Sequence, residues 1–295
     1  QNEAYEKAVS GFVPPKGVYS HIVGVDIVRT GPEEFFVLED NCRTPSGVSY
    51  MLESREIMMR MFPDLFRENR IEPVDNYSEK LRRTLASVAP AKCKGEPVVV
   101  ILTPGHFNSA YYEHSLLADL MGVELVEGQD LFVDGEDVWM RTTEGPQRVD
   151  VIYRRIDDAF LDPLCFRPDS MLGIPGLMDV YRSGGVSICS APGAGVADDK
   201  AVYTYVPDMI RFYLGEEPIL KNVPTFQCRK PAELSHVLAN LEQLVVKETQ
   251  GSGGYGIVFG PEASEKELAT ITKKINADPR GWIAQPVVQL STVPT

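Results

Sequence analysis

The sequence predicts a chain of mixed class, α/β in its middle and α+β toward its end. Two observations carry this. Pro97–Thr103 is an apolar, β-branched run ending in Pro-Gly. A helix-spaced stretch, Ser109–Met121, and a second strand-like run, Gly122–Val126, follow it to complete a β-α-β unit. Beyond Lys221, short strand-like runs (Thr225–Cys228, Val245–Glu248, Gly256–Phe259, Trp282–Gln289) alternate with helical ones (Ala232–Leu244, Glu265–Asp278), the pattern of an α+β lobe.

The other elements follow in order. Val18–Val28 and Glu34–Glu39 flank Thr30-Gly31-Pro32-Glu33, a turn-forming set, and read as a hairpin. Ser49–Arg70 has helical spacing, a polar connector lies near Glu72–Asn76, and Lys80–Val88 is a second short helix. A composition shift at Ala89–Pro97 marks a domain boundary. Asp150–Arg154 and Gly185–Cys189 are further strands, and Asp198–Leu214 reads as one helix.

The bulk numbers exclude several function classes. A chain of 295 residues, 43% hydrophobic and 24% charged, is an ordinary globular composition. A net charge of −13 argues against nucleic-acid and membrane-surface partners, though not against a local basic pocket for phosphate. No apolar run approaches the roughly 20 residues that span a bilayer. Five scattered cysteines fit neither a disulfide framework nor a zinc pattern, so a reducing cytoplasm is the simpler expectation. The chain opens on Gln1 and closes on Ser291–Thr295 just after a strand, and it reads as an excerpt of a longer protein.

The first chemical pattern lies in Val25–Gly47. Asp26 is followed after twelve residues by Glu39, then by Asn41. In a hairpin, Glu39 and Asn41 share a face and Asp26 can lie opposite them. Three oxygen ligands on one sheet face, completed by phosphate oxygens, suit Mg²⁺. Arg43, two residues on, is placed to neutralise a phosphate or acyl-phosphate. The plain alternative is a solvated amphipathic hairpin. Against it, Asp26 sits inside the apolar run Ile22–Val28, and an unpartnered buried acid is costly.

The second pattern is Leu244–Gly260. A strand carries Lys247, and a loop with Gly251, Gly253, Gly254 and Gly256 leads to the next strand. Such a loop lets backbone amides close around phosphate oxygens, with Lys247 adding charge. It lacks the Gly-Lys-Ser/Thr ending of a Walker loop and the following helix of a dinucleotide fingerprint. A Gly-rich hairpin turn would look the same. Lys200, at a helix start, could reach a nucleotide or simply face solvent. Trp282–Val287 could offer Gln285 and Val287 to an adenine edge or be a core strand.

Together these pieces resemble the ATP-grasp superfamily, with the acidic set placed before the lysines. That order is similar to the circularly permuted ATP-grasp family, related to glutathionylspermidine synthase-like carboxylate–amine ligases. The resemblance extends over nearly the whole chain and includes Val23–Asp26, Val37–Asn41, Leu102–Gly105, Asn108–Tyr111, Val151–Asp158, Asp199–Ala201 and Val246–Glu248. It implies a permuted ATP-grasp fold. Residues 1–90 would hold the metal-binding part of its core with connecting helices. Residues 91–195 would form a Rossmann-like pre-ATP-grasp substrate domain, and 196–295 the lid lobe. ATP and Mg²⁺ are the implied cofactors. Asp26, Glu39 and Asn41 would hold the metal, and Lys200 and Lys247 would contact the nucleotide. The loop glycines would cover the β- and γ-phosphates, with Gln285 and Val287 at the adenine. The basic residues that follow the hinge in the family lie past Thr295.

The implied reaction phosphorylates a carboxylate, then lets an amine displace phosphate, leaving ADP. Such catalysis rests on positioning and charge neutralisation, which assigns Arg43 and Lys247 catalytic roles and leaves Cys42 structural. The partners would be small-molecule or peptide carboxylates and amines. Arg154, Arg155 and Asp157, at a strand end, are candidates to grip them, with Asn108 beside them; a surface salt-bridge cluster is the alternative. His106, Glu113 and His114 are weaker candidates. A non-catalytic nucleotide-binding module of the same fold is the competing function. An NAD-dependent enzyme lacks its glycine fingerprint.

Overall fold

The computed structural model describes residues 2, 4–251, 253–254 and 256–292. The chain begins with β1 (Gly24–Gly31) and β2 (Glu34–Asn41), followed by α1 (Val48–Met61), α2 (Pro63–Glu68) and α3 (Tyr77–Ala86). Next come β3 (Val99–Leu102), α4 (Tyr111–Met121), β4 (Glu124–Val126), β5 (Leu131–Asp134), β6 (Asp137–Met140) and β7 (Gln147–Val149). Then follow β8 (Val151–Arg154), α5 (Asp158–Leu161), α6 (Leu177–Arg182) and β9 (Ser187–Cys189). The last third holds α7 (Lys200–Tyr203), α8 (Val206–Leu214), β10 (Lys221–Asn222), β11 (Phe226–Gln227) and α9 (Pro231–Ala239). It ends with β12 (Leu244–Glu248), β13 (Val258–Phe259), α10 (Glu265–Ala277) and β14 (Trp282–Pro286).

These elements form two compact units. One joins Gly24–Asn41 to the stretch from Gly195 onward and to the first few residues. The other comprises Glu6–Val23 and Cys42–Ala194. The sequence segment 1–90 is thus shared between them: the hairpin goes with the C-terminal lobe and the helices go with the middle of the chain.

The second unit is built on a parallel sheet of order β4-β3-β8-β9. β3, β8 and β9 are buried on both faces, which is why β3 reads as an unbroken apolar run. Val100, Leu102, Ile152 and Ile188 point to one core, which also takes in the β5–β7 meander through Leu131, Val138, Met140 and Val149. Val99, Ile101, Val151 and Tyr153 point to the other, packed under α3 and α4 by Leu81, Leu85, Leu117 and Met121. Burying a side chain of this kind contributes about 1.5–3 kcal/mol, so the two faces fix the strand register. The meander was not expected from periodicity, although Asp134-Gly135 is a hairpin signal, and Gly135 takes the positive φ of 60° that such a turn needs.

The first unit has two sheets. β1 and β2 pair antiparallel and β10 joins β2 in parallel, leaving β1 at an edge. The other sheet, β11-β14-β12-β13, is antiparallel, with α9 and α10 on one face through Val237, Ile271, Ile275, Val246, Trp282 and Ala284. Lys247 and Gln285, on the alternate positions, therefore face away from those helices. A capping box closes the start of α10, where the Ser264 hydroxyl accepts from the Glu267 amide and the Glu267 carboxylate accepts from the Ser264 amide.

Several boundaries differ from expectation for local reasons. Pro63 cannot continue a helix, so Ser49–Arg70 is two helices, with Phe62 between them and the second ending at Glu68. Asp198–Leu214 likewise divides at Thr204–Tyr205, just before Pro207. The first hairpin strand starts only at Gly24, and Trp282–Gln289 leaves the sheet after Pro286.

Candidate nucleotide and metal site

In the hairpin, Asp26 is paired with Glu39 and Gly24 with Asn41. Directly paired residues share a sheet face, and Asn41, two past Glu39, shares it too, so the structure puts all three oxygen donors on one side. The register then slips: Ile27 pairs with Val37, leaving Leu38 as a bulged residue. The Leu38 carbonyl is taken up by Gln285, whose amide nitrogen donates to it at 3.3 Å and to the Thr225 hydroxyl at 3.0 Å. The other side-chain atom of Gln285, its buried Oε1, has no hydrogen-bond partner. The apolar run around Asp26 is not a buried strand: Val25 and Ile27 are exposed along the edge of the sheet.

Both lysines converge on this face. Lys200 Nζ lies 3.4 Å from Glu39 Oε2, and Lys247 Nζ lies 4.0 Å from the same oxygen. Lys200 starts α7, whose N-cap Asp199 accepts from the Ala201 amide at 2.7 Å. Its ammonium also donates to the Gly251 carbonyl at 2.6 Å, tying the start of α7 to the glycine loop. Lys247 is buried on β12 opposite Ile283. In the loop, Gly253, Gly254 and Gly256 have φ of 65°, 79° and 73°, and a Cβ at Gly256 would come within 2.8 Å of the Glu248 carboxyl carbon. Ser252 and Tyr255 of that loop, and the closing residues 293–295, lie outside the described residues. Val287 is half-buried just past β14.

The electrostatics are those of an acid-rich site. Partial burial, then Glu39, push the Asp26 carboxyl above its ordinary value, with Lys247 and Lys200 opposing. Asp40 is also raised, by burial and then by Asp26, Asp198 and Glu39. Burial lowers Lys247, with Lys200 adding to that and Glu39 and Asp26 opposing it. Asp26 and Glu39 thus stand with two ammonium groups (Lys200, Lys247), and with Asn41 they make an oxygen donor set of the kind that suits a hard divalent cation such as Mg²⁺; among the described residues no three Asp, Glu, His or Cys side chains gather as a metal site.

The candidates of the other unit are arranged differently. Arg154 is wholly buried and donates to the carbonyls of Ser190, Ile156 and Ala191, with Asp158 at 2.8 Å. Its guanidinium is turned into the protein and serves the β8–β9 strand ends, and this arrangement does not offer it to a ligand. Arg155 is also buried, donating to the Tyr153 hydroxyl at 3.0 Å and approaching Glu113 at 3.5 Å. Asp157 is exposed and pairs with Arg43 at 3.4 Å. The Asn108 side chain accepts from the Ala110 amide at 2.8 Å, in the turn that starts α4. His106 stacks on the exposed Phe107, whereas His114 is buried against the Thr103 hydroxyl. Cys42 is half-buried. Sequence reasoning did not see the inward role of Glu113, although an acid spaced four residues from Leu117 and eight from Met121 on one helix stripe was its signal.

The model of the circularly permuted ATP-grasp type 2 family matches residues 1–295, and the chain belongs to that family. An uncharacterized protein of Mycobacterium tuberculosis, Rv2411c, is 57% identical over 293 residues, 99% of this chain and 53% of its own length. A Frankia alni protein named "Putative glutamate--cysteine ligase 2-3" is 47% identical over 273 residues, 92% of this chain and 32% of its own. The chain therefore spans about half the length of the first curated relatives it matches. Among solved structures, an apo glutathione synthetase-like effector of Globodera pallida superposes with a TM-score of 0.58 over 97% of this chain and 64% of its own, at 13% identity. That likeness bears on the fold, which is the ATP-grasp fold.

Proposed function

We propose that the protein carrying this chain is an ATP-dependent carboxylate–amine ligase that uses Mg²⁺ and releases ADP. The observation that carries the reading is the meeting of Glu39 with Lys200 and Lys247, opposite Asp26 and against the glycine loop. Asp26, Glu39 and Asn41 would hold the metal, which when bound neutralises phosphate charge and aligns the phosphoryl group. Lys200 and Lys247 pair with Glu39 in this structure and would pass to the phosphates of a nucleotide. Gly251, Gly253, Gly254 and Gly256 supply backbone amides over those phosphates. Gln285 and Val287 would meet the adenine edge, and the buried Gln285 Oε1, which has no hydrogen-bond partner, supports this as a free acceptor.

The acceptor carboxylate belongs with Arg43, whose guanidinium can neutralise an acyl-phosphate as it forms. Asp157 and Asn108 are the proposed contacts for the amine, with Arg155 as a neighbour. No side-chain nucleophile is needed, because phosphoryl transfer and amide formation rest on alignment and charge. The Frankia relative's name supports the C–N ligase class, but the chain spans only 32% of that protein, so it does not extend to substrates. The function matches a place in the cytoplasm, where ATP is supplied; no helix among the described residues is long and apolar enough to cross a membrane.

The test is ADP release by the full-length protein with mixed amino acids and polyamines, beside a Glu39→Ala variant. Amine-dependent ADP release in the wild type, lost in the variant, is expected. Mg-ATP binding with no such release would favour a non-catalytic module instead.

A further inference from the structure

Glu113 is a carboxylate at the centre of the second unit that the proposed chemistry does not use. It is 1% exposed, on α4, and its Oε2 accepts from the Gly47 amide at 2.7 Å, the Ser49 amide at 3.0 Å and the Ser49 hydroxyl at 2.8 Å. Gly47 is the N-cap of α1, has φ 109°, and supplies no side-chain cap of its own. The start of α1 is therefore capped by an acid from a distant helix, which satisfies orphan amides and meets the positive end of the helix dipole. The other oxygen, Oε1, faces Arg155, which is itself 4% exposed and lies over the Tyr153 ring.

These contacts close a ring. Gly47 is four residues after Arg43, Arg155 is two before Asp157, and Arg43 meets Asp157 at 3.4 Å. The half-exposed Arg43–Asp157 pair thus rests on two short backbone segments, both pinned by one buried carboxylate.

We propose that Glu113 is a positioning residue for Arg43: by capping α1 and pairing with Arg155, it sets where the Arg43 guanidinium stands relative to the reacting carboxylate. This rests on the ligase function above. A purely structural acid would lower stability without changing the loop or the turnover step selectively.

Glu113→Gln keeps the volume and removes the charge, and Ser49→Ala removes one donor while leaving the acid in place. In the full-length protein, hydrogen exchange in Glu113→Gln should rise about tenfold or more at Gly47 and Ser49, while β3 and β8 keep wild-type protection. The kcat for amine-dependent ADP release should fall on the order of a hundredfold with KM for ATP unchanged, as expected of a misplaced catalytic group. Ser49→Ala should move both quantities in the same direction by less. Adding Glu113→Gln to Arg43→Lys should cost little more than Arg43→Lys alone, because both act through one guanidinium. Full additivity of the two, or wild-type exchange at Gly47 in Glu113→Gln, would overturn the role. If the wild type itself releases no ADP with carboxylate and amine, the ligase function fails first. That outcome differs from an active wild type matched by Glu113→Gln, which sinks the positioning role alone.

Discussion

Glu39 of β2 and Lys200 at the start of α7 approach to 3.4 Å, and Lys247 reaches the same carboxylate oxygen from 4.0 Å. One oxygen shared by two ammonium groups is an arrangement that a metal and a phosphate can replace without net loss of charge pairing. Glu39→Gln is expected to abolish the thermal shift that Mg-ATP gives the wild type. With ATP at a hundred times its Kd that shift corresponds to about 2.7 kcal/mol. Scanning fluorimetry with and without Mg-ATP reads it directly, and an undiminished shift would count against the metal role.

Asp26 gives a pH-dependent counterpart. Its carboxyl is raised in the folded protein, so the native state binds a proton more readily than the unfolded chain. Stability is then lost as pH rises from the unfolded value through the folded one, and stays lower above both. Asp26→Asn should remove this contribution. At neutral pH without metal, the variant should be more stable than wild type by a few tenths to about 1 kcal/mol, since Asp26 is still reached by solvent. It should also lose the gain that Mg-ATP brings. Denaturant titrations at several pH values measure both, and a destabilised variant would refute the argument.

Lys247 shows the same trade from the basic side. Burial holds its ammonium below the ordinary range. Lys247→Met fills a similar volume without the buried charge, so the fold should be kept or slightly strengthened. Affinity for ATP should fall about tenfold or more, the cost of losing a charge-assisted phosphate contact. Isothermal titration checks the affinity and chemical denaturation the stability.

How far these residues were legible differs by type. Asp26, Glu39 and Asn41 were readable because a hairpin converts sequence spacing into a shared face, and the observed register agrees. Lys247 was suggested by the glycine loop beside it and Lys200 by its helix start, but their meeting was not legible, since no local pattern announces that two distant lysines meet on one carboxylate. Arg154 was misleading in a physical way: an arginine ending a strand looks like a ligand fork, yet carbonyls of the following segments use its donors first. The meander β5–β7 was hidden because its strands are only three or four residues long, too short for periodicity to register.

His114 supplies an acid-limb prediction in the other unit. Burial, with Arg155 adding to it, pushes this imidazole down to about 3. The unfolded chain takes up the proton near pH 6.5 and the folded one does not, so stability should fall as pH drops from about 6.5 toward 3. The slope for one proton is about 1.4 kcal/mol per pH unit. His114→Gln should flatten that limb by one proton while lowering stability at neutral pH. Urea unfolding between pH 7 and 4 tests it, and an unchanged slope would rule the group out as the source.

The split of the chain between its units bears on how the protein is made. The hairpin β1–β2 leaves the ribosome well before the larger part of its compact unit, which begins at Gly195. Cys42–Ala194, with its own two-faced sheet, can collapse in the interval, whereas the hairpin must wait with Val25 and Ile27 on an exposed edge. The contact between Glu39 and Lys200 then waits for the whole intervening stretch, since closing so long a loop precedes any return from it. The acidic pocket would be completed only after Gly195 and the segment beyond it have emerged, and until then the waiting edge strand would be the part of the hairpin most in need of shielding.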